Sequence, residues 1–235
     1  IGAQGDGTFN VTATVTDAAG NASNASTPQS VTVDTISPNQ PVINGFSDNS
    51  GLGNDTITND TTPTLSITAE AGTTVEVFRD SVSVGFAAEG SSGSYTFATS
   101  SPLGDGIYAF TVKATDASGN VSAASTAQSI TVDDTDPNAP AITSISENAN
   151  GSINAAEAAD GTPVVVSLSG TNALAGDTLT VSWGGQTVAH TLTGSDITAI
   201  SATVTIPAGT IGAQGDGTFN VTATVTDAAG NASNA

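Results

Sequence analysis

The chain has 235 residues, of which 22 are acidic, two are basic (Arg79 and Lys113) and one is histidine (His190), with no cysteine or methionine and a formal net charge of −20. That balance excludes recognition of nucleic acid, which needs clustered Lys and Arg to displace counterions, and docking by charge on an anionic membrane. Charged residues are only 10% of the chain and apolar ones 37%, so the composition is that of a folded protein and not of a charge-rich disordered tail.

No apolar run approaches the roughly 18 residues that cross a bilayer. The opening Ile1-Gly2-Ala3-Gln4 has neither the basic nor the apolar region of a leader, and it reads as an internal window of something longer. The absence of cysteine leaves two compartments open: a reducing one, or an exterior in which the protein avoids thiols.

Residues 1–25 recur without a change at 211–235. Identity over that length signals tandem duplication. A diverged copy lies between them. Gly7-Thr8-Phe9-Asn10-Val11 aligns with Gly106-Ile107-Tyr108-Ala109-Phe110, Asp17-Ala-Ala-Gly-Asn21 with Asp116-Ala-Ser-Gly-Asn120, and Ser30-Val31-Thr32-Val33-Asp34 with Ser129-Ile130-Thr131-Val132-Asp133. Two types of module, each of about 100 residues, therefore alternate. Proline punctuates them at Thr35-Ile36-Ser37-Pro38 and Thr135-Asp136-Pro137. The expected organisation is 1–34 as the closing strands of one module, 38–134 as a complete module, and 138–235 as a module lacking its last strand, the copy of Ser26 to Asp34.

Taken along the chain, Phe9, Val11, Ala13 and Val15 alternate with Asn10, Thr12, Thr14 and Thr16. Short runs of similar character follow at Leu65-Ser66-Ile67, Val75-Glu76-Val77-Phe78 and Tyr95-Thr96-Phe97. Tyr108, Phe110, Val112 and Ala114 then repeat the first pattern. Further runs are Val164-Val165-Val166, Leu179 to Trp183 and Ala202 to Ile206. Period two, broken by Gly, Asn, Asp and Pro, is the pattern of half-buried antiparallel strands. About seven strands per 100 residues predict an all-β chain of tandem immunoglobulin-like β-sandwiches in an extended array. Only Asn154 to Ala159 has helical character, worth one turn at most. Tyr108 stands where such sandwiches carry a tyrosine that bonds back to nearby backbone, whereas Phe9 and Phe219 occupy that place in the other module type.

The Val33-Asp34…Pro38 and Val132-Asp133…Pro137 junctions, the Asp-Ala-(Ala/Ser)-Gly-Asn loops, Thr68 to Val75 and Ile153 to Ala158 together resemble the bacterial immunoglobulin-like repeats of giant RTX-type surface adhesins. The resemblance implies an exported, cell-anchored and calcium-stiffened array that holds an adhesive domain away from the bacterium.

Sandwich topology supplies a separate argument for a cation. The loop Asp116 to Asn120, the loop containing Glu70, and Asp34 at the end of the preceding strand are all expected at one end of the module. Three carboxylates meeting in so acidic a chain would repel one another unless neutralised. A hard divalent cation with six to eight oxygen ligands at about 2.3–2.6 Å suits them, and calcium is the expected ion, whereas zinc would want His or Cys. The next junction would use Asp133, Asp134, Asp136 and Asp227, with Asp177 as a weaker candidate. The competing reading is that each aspartate simply caps its own turn.

A shared ion would turn a hinge into a joint, with each module adding roughly 40 Å, given about 33 Å for a ten-residue strand. The expected function is a structural stalk of an extracellular adhesin or filament, supporting adhesion or biofilm formation at the bacterial surface, with neighbouring repeats as partners. Direct ligand-binding modules, or spacers of a secreted enzyme, are the alternatives. No catalysis is expected: His190, Ser195 and Asp196 lack any nucleophile elbow, and His190 reads as a solvent-facing residue at a strand end. Trp183, in phase with Leu179 and Val181, reads as core. The open edge beside 217–226 could take Ser26 to Asp34 from another copy by strand complementation, although an array cut at an arbitrary register is the simpler reading.

Overall fold

A computed structural model describes residues 5–47, 56–146 and 152–235. The first four residues of the duplicated segment lie outside these. In chain order the strands are β1 (Gly7–Val11), β2 (Gln29–Val33), β3 (Val42–Phe46), β4 (Ile57–Thr58), β5 (Thr64–Thr68), β6 (Thr74–Arg79), β7 (Val82–Ser91), β8 (Ser94–Ala98), β9 (Gly106–Thr115) and β10 (Gln128–Val132). They continue with β11 (Ala141–Ile145), β12 (Thr162–Ser167), β13 (Thr178–Trp183), β14 (Gln186–Thr191), β15 (Ser201–Ile206) and β16 (Val221–Thr226). A 3-10 turn spans Glu157–Ala159, and two short helices are α1 (Gly194–Ala199) and α2 (Ala208–Gln214). The chain divides into two compact units, Ile1–Phe46 with Thr64–Thr99 and Ala109–Ser129, and Ser47–Pro63 with Ser100–Tyr108 and Ile130–Ala235.

In the first unit β1 and β2 form an antiparallel ribbon with Phe9 opposite Val31 and Gly7 opposite Val33. A sandwich follows. β3, β5 and β8 pair in succession, as do β7, β6 and β9, all antiparallel. The long β7 joins the two layers. Val82 to Ala87 lie along β6, and Ala88 to Ser91 along β8. The period-two reading holds residue by residue. Leu65, Ile67, Val75, Val77, Phe110, Val112 and Ala114 are fully buried, while Ser66, Glu76, Thr111 and Lys113 face outward. Each fully buried aliphatic side chain contributes on the order of 1.5–3 kcal/mol.

In the second unit β11-β12-β15 forms one three-stranded sheet and β14-β13-β16 the other. Their apolar positions, Val164, Val166, Leu179, Val181, Val204, Ile206 and Val225 among them, make one core. Trp183 belongs to it as expected, 6% exposed, and its Nε1 is the one buried side-chain polar atom without a partner among the described residues. The Tyr108 hydroxyl donates to the Gly104 carbonyl at 3.0 Å, the expected backward bond. β4 pairs in parallel with Thr131 and Val132.

Three features depart from expectation. First, helix is not confined to the stretch 154–159, which forms only the 3-10 turn, because α1 and α2 are also present. α1 exists because Thr193 and Asp196 make a capping box. Asp196 Oδ2 accepts from Thr193 N at 2.8 Å and Thr193 Oγ1 at 2.6 Å, and Asp196 N donates back to Thr193 Oγ1. Second, His190 does not simply face solvent. It is partly buried on β14, with Nε2 3.1 Å from Asp196 Oδ2, and the capping role of that aspartate accounts for the sequence proximity that resembled a triad.

Third, serine side chains extend the sheets. Beyond β9 the chain turns back, and Ser122 Oγ accepts from Ala114 N at 2.9 Å while Ser125 Oγ accepts from Val112 N at 3.0 Å. Ser23 and Ser26 do the same for Val15 and Ala13, and Ser233 for Val225. The donors Val112, Ala114 and Val225 are fully buried, so water cannot replace these bonds.

Replacing Ser122 by Ala strands the Ala114 N–H, and chemical denaturation is expected to show a loss of about 1–3 kcal/mol. Asp196 is held from its ordinary 3.8 down to about 2, chiefly by the Thr193 hydroxyl, then by the Thr193 N–H and His190. The anion is therefore the form that the fold favours. Its contribution is complete above about pH 4 and disappears as the pH falls toward 2. Thermal melts across that window should show an acid-dependent loss in the parent chain that is smaller in Asp196→Asn, which should itself be about 1 kcal/mol less stable at pH 7.

Candidate metal centre at the repeat junctions

Each Asp-x-x-Gly-Asn loop begins as the strand before it ends. The aspartate must satisfy the backbone of a tight turn, and glycine supplies the positive φ, 92° at Gly119 and 91° at Gly230. Asp116 Oδ1 accepts from Ser118 N and Asn120 N, both at 2.9 Å, and its Oδ2 accepts from Asn120 Nδ2 at 2.9 Å. Asp227 repeats this with Asn231 N on Oδ1 and Asn231 Nδ2 on Oδ2, each at 2.9 Å. The carboxyl of Asp116 is held below the usual range, chiefly by the Asn120 amide, and Asp17 likewise by Asn21. The turn-capping role weighed against ligation is therefore real.

The same asparagine amide reaches out of its loop. Asn120 Nδ2 donates to the Asp34 carbonyl at 3.2 Å within the first unit, and Asn231 Nδ2 to the Asp133 carbonyl at 2.8 Å within the second. Both carbonyls stand at the exit of the last strand of the preceding repeat, where the linker to Pro38 or Pro137 begins. Both prolines are buried.

A second clamp also holds the linker. Asp6 Oδ1 accepts from Thr35 N at 3.1 Å and Thr35 Oγ1 at 2.8 Å. Asp105 Oδ1 accepts from Asp134 N at 2.7 Å, and its Oδ2 from Thr135 Oγ1 at 2.5 Å. The Asp134 N–H, and after it Thr135, hold the Asp105 carboxyl low.

Around these clamps the expected candidates fall as follows. In the first unit Asp34 Oδ1 caps Ile36 N at 3.2 Å, and Glu70 Oε2 accepts from Asn39 N at 3.4 Å, so Asp34, Glu70 and Asp116 all border one linker. In the second, Asp133 Oδ1 caps Thr135 N at 3.2 Å. Asp177 is 6% exposed and receives Leu174 N at 2.8 Å. Burial pushes its carboxyl up, with the charges of Asp227 and Asp133 adding to the rise. Asp134 and Asp136 are exposed, and Asp134 takes part in the linker through its backbone N–H.

Among the described residues no three acidic or histidine side chains are arranged to hold a metal ion. The donor chemistry nevertheless fits a hard cation, since every candidate is an oxygen. A carboxylate accepts about four hydrogen bonds, and Asp116 and Asp227 receive three and two of those described above. Asn120, Asn231, Asp6 and Asp105 are not among the site residues expected from the sequence. The signal was available in the repeat alignment, where Gly-Asp-Gly at 5–7 matches Gly-Asp-Gly at 104–106 and Asn21 matches Asn120.

Residues 37–134 match a family model described as bacterial Ig-like domain, and residues 3–35 match a second model of the same description, together more than half of the chain. No curated protein matches. Among solved structures the chain is similar to a Ca2+-stabilised adhesin that helps an Antarctic bacterium reach out and bind ice, with 25% identity and a TM-score of 0.40 over 96% of this chain and 54% of that one. It is also similar to a 1.5-MDa bacterial ice-binding adhesin, with 22% identity and a TM-score of 0.37 over 98% of this chain and 72% of that one. A biofilm-associated protein domain follows at 19% identity and a TM-score of 0.26, over 83% and 28%. The chain spans about half the length of the first of these.

If the asparagine clamp ties each linker, Asn120→Ala and Asn231→Ala should each cost about 1–2 kcal/mol in denaturant melts. Hydrogen exchange should speed up at residues 34–38 in the first variant and 133–137 in the second, and an unchanged rate there would show that the clamp carries no load.

Proposed function

Because the chain belongs to the bacterial Ig-like domain family, we propose that it is a run of extender modules from an extracellular bacterial adhesin or filament, without catalytic activity of its own. The modules in this reading are the closing strands 1–34, the complete repeat 38–134 and the repeat 138–235. The observation that carries it is the recurrence of one joint. An asparagine amide grips the exit carbonyl of the preceding strand, and an aspartate from Gly-Asp-Gly grips the linker's N–H groups, at two places 99 residues apart in the chain. Chemistry that recurs at both junctions suits a part whose task is mechanical.

Calcium is the proposed stiffening ion. Asp133, Asp134, Asp136 and Asp227 are its proposed ligands in the second unit, with Asp177 beside them, and Asp34, Glu70 and Asp116 in the first; these side chains have to draw together around the ion, since among the described residues no three stand in ligating array without it. When bound, the ion supplies positive charge and oxygen-ligating geometry. The chain's own residues provide the rest: the asparagine clamp ties the linker to the loop, the buried prolines limit its rotation, and a cation would stabilise the anion of Asp177, which burial and then the charges of Asp227 and Asp133 disfavour. Extracellular modules hold calcium with dissociation constants of about 10⁻⁴–10⁻³ M, so stiffness would follow the medium.

Small-angle scattering of the chain with calcium and with a chelator tests the reading. A longer maximum dimension and reduced flexibility in calcium, abolished by Asp133→Asn with Asp227→Asn, are expected. Identical profiles in both conditions would remove the ion from the mechanism.

A further inference from the structure

The parity that fills the core of the first unit also fixes what the strands β7, β6 and β9 show to the outside. Residues opposite one another on a ladder share a face, so Phe86, Glu76 and Lys113 form one row across the three strands, and Ser83, Phe78 and Thr111 form the next. None of these residues is buried. Phe86 is 63% exposed, and the Ser83 hydroxyl donates to Glu76 Oε1 at 2.6 Å. Lys113 Nζ lies 5.5 Å from the centre of the Phe78 ring. Among the described residues this lysine, the only one in a chain with 22 acidic groups, has no carboxylate as an ion-pair partner.

The other type of repeat shows that the sandwich does not need these side chains. Aligned through Asp116 and Asp227, Lys113 and Thr111 match Thr224 and Thr222 on β16, and their ladder partners Glu76 and Phe78 match Thr180 and Ser182 on β13. Strand propensity accounts for an aromatic residue on an outer face. It does not account for two phenylalanines, a lysine and a glutamate gathered in one repeat type where the other has only threonine and serine.

We propose that this face binds an acidic polysaccharide through a single uronate ring. The apolar side of the ring packs on Phe86, its carboxylate meets Lys113, and a ring hydroxyl donates to Glu76. Three arguments select this occupant. The ammonium without a carboxylate partner, held over Phe78 by cation–π attraction, calls for an anion. One cation suits one carboxylate on a ring, whereas a nucleic acid needs a cluster. The face is about 10 Å across, two strand spacings, which admits a sugar ring but falls far short of the roughly 800 Å² that each partner buries in a stable protein interface.

NMR titration of the full chain with a galacturonate oligomer, and with a glucose oligomer of the same length as its neutral counterpart, tests the proposal. A chelator is present throughout, so calcium cannot bridge the acidic protein to the acidic sugar. Amide shifts confined to residues 76–86 and 109–113 are expected with the galacturonate oligomer. Phe86→Ala, a change at an exposed position, should weaken binding about tenfold, and its amide spectrum away from this face should be unchanged. Lys113→Ala should weaken binding about threefold and erase the preference for the acidic oligomer, whereas Lys113→Arg should keep it. Absence of shifts, equal affinity for the glucose oligomer, or undiminished affinity in Phe86→Ala would each overturn the proposal. So would sedimentation in which the parent chain doubles its mass and Phe86→Ala does not, since the face would then belong to a second copy.

Discussion

One side-chain amide organises the junctions. Asn120 and Asn231 each use a single Nδ2 group twice, toward the aspartate that starts their loop and toward the carbonyl at which the previous repeat ends. An amide suits the task because it carries two donor hydrogens and no charge. The loop and the linker are thereby fixed by the same atom. The orientation of the acidic side chains around them follows from that fixation.

The aspartates consequently have two duties that differ in their demands on charge. Turn capping wants the anion, because backbone N–H groups donate to it, and this is why Asp17, Asp105 and Asp116 are held low. Burial acts the other way on Asp177, the most deeply buried of the set, and the charges of Asp227 and Asp133 add to the rise. A chain of net charge −20 with two cations cannot relieve this internally. Lys113 is spent elsewhere, 5.5 Å above the Phe78 ring.

Most of the sandwich could be read from the sequence, because burial in a strand is written at period two and nothing competes with it. Leu65, Ile67, Phe110 and Val112 are inside for that reason alone. The two helices were not legible. α1 depends on Thr193 and Asp196 meeting in space, and its six residues carry no apolar face long enough to register a helical period. The serine bonds were hidden for a related reason: Ser122 and Ser125 look like loop residues until β9 is seen to need donors satisfied beyond its last ladder pair. At the junctions the carboxylates could be picked out as a class, since charge is sparse in this sequence. The neutral asparagine beside them recurs in the same alignment, but nothing in the sequence shows that its amide reaches the carbonyl after the last strand.

The duplicated segment has a bearing on how such a chain survives synthesis. Strands of identical sequence in adjacent domains are prone to trade places while a nascent polypeptide is still incomplete, and repeat proteins misassemble in this way. Here the two perfect copies are 210 residues apart, and the copy between them has diverged to Tyr108, Phe110 and Lys113 where the others have Phe, Val and Thr. The strand of the first copy therefore has its mate β2 within reach before the distant twin has been synthesised. Alternating two kinds of bead keeps look-alike strands far apart during synthesis, and homogenising the array is expected to lower its folding yield before it alters its finished form.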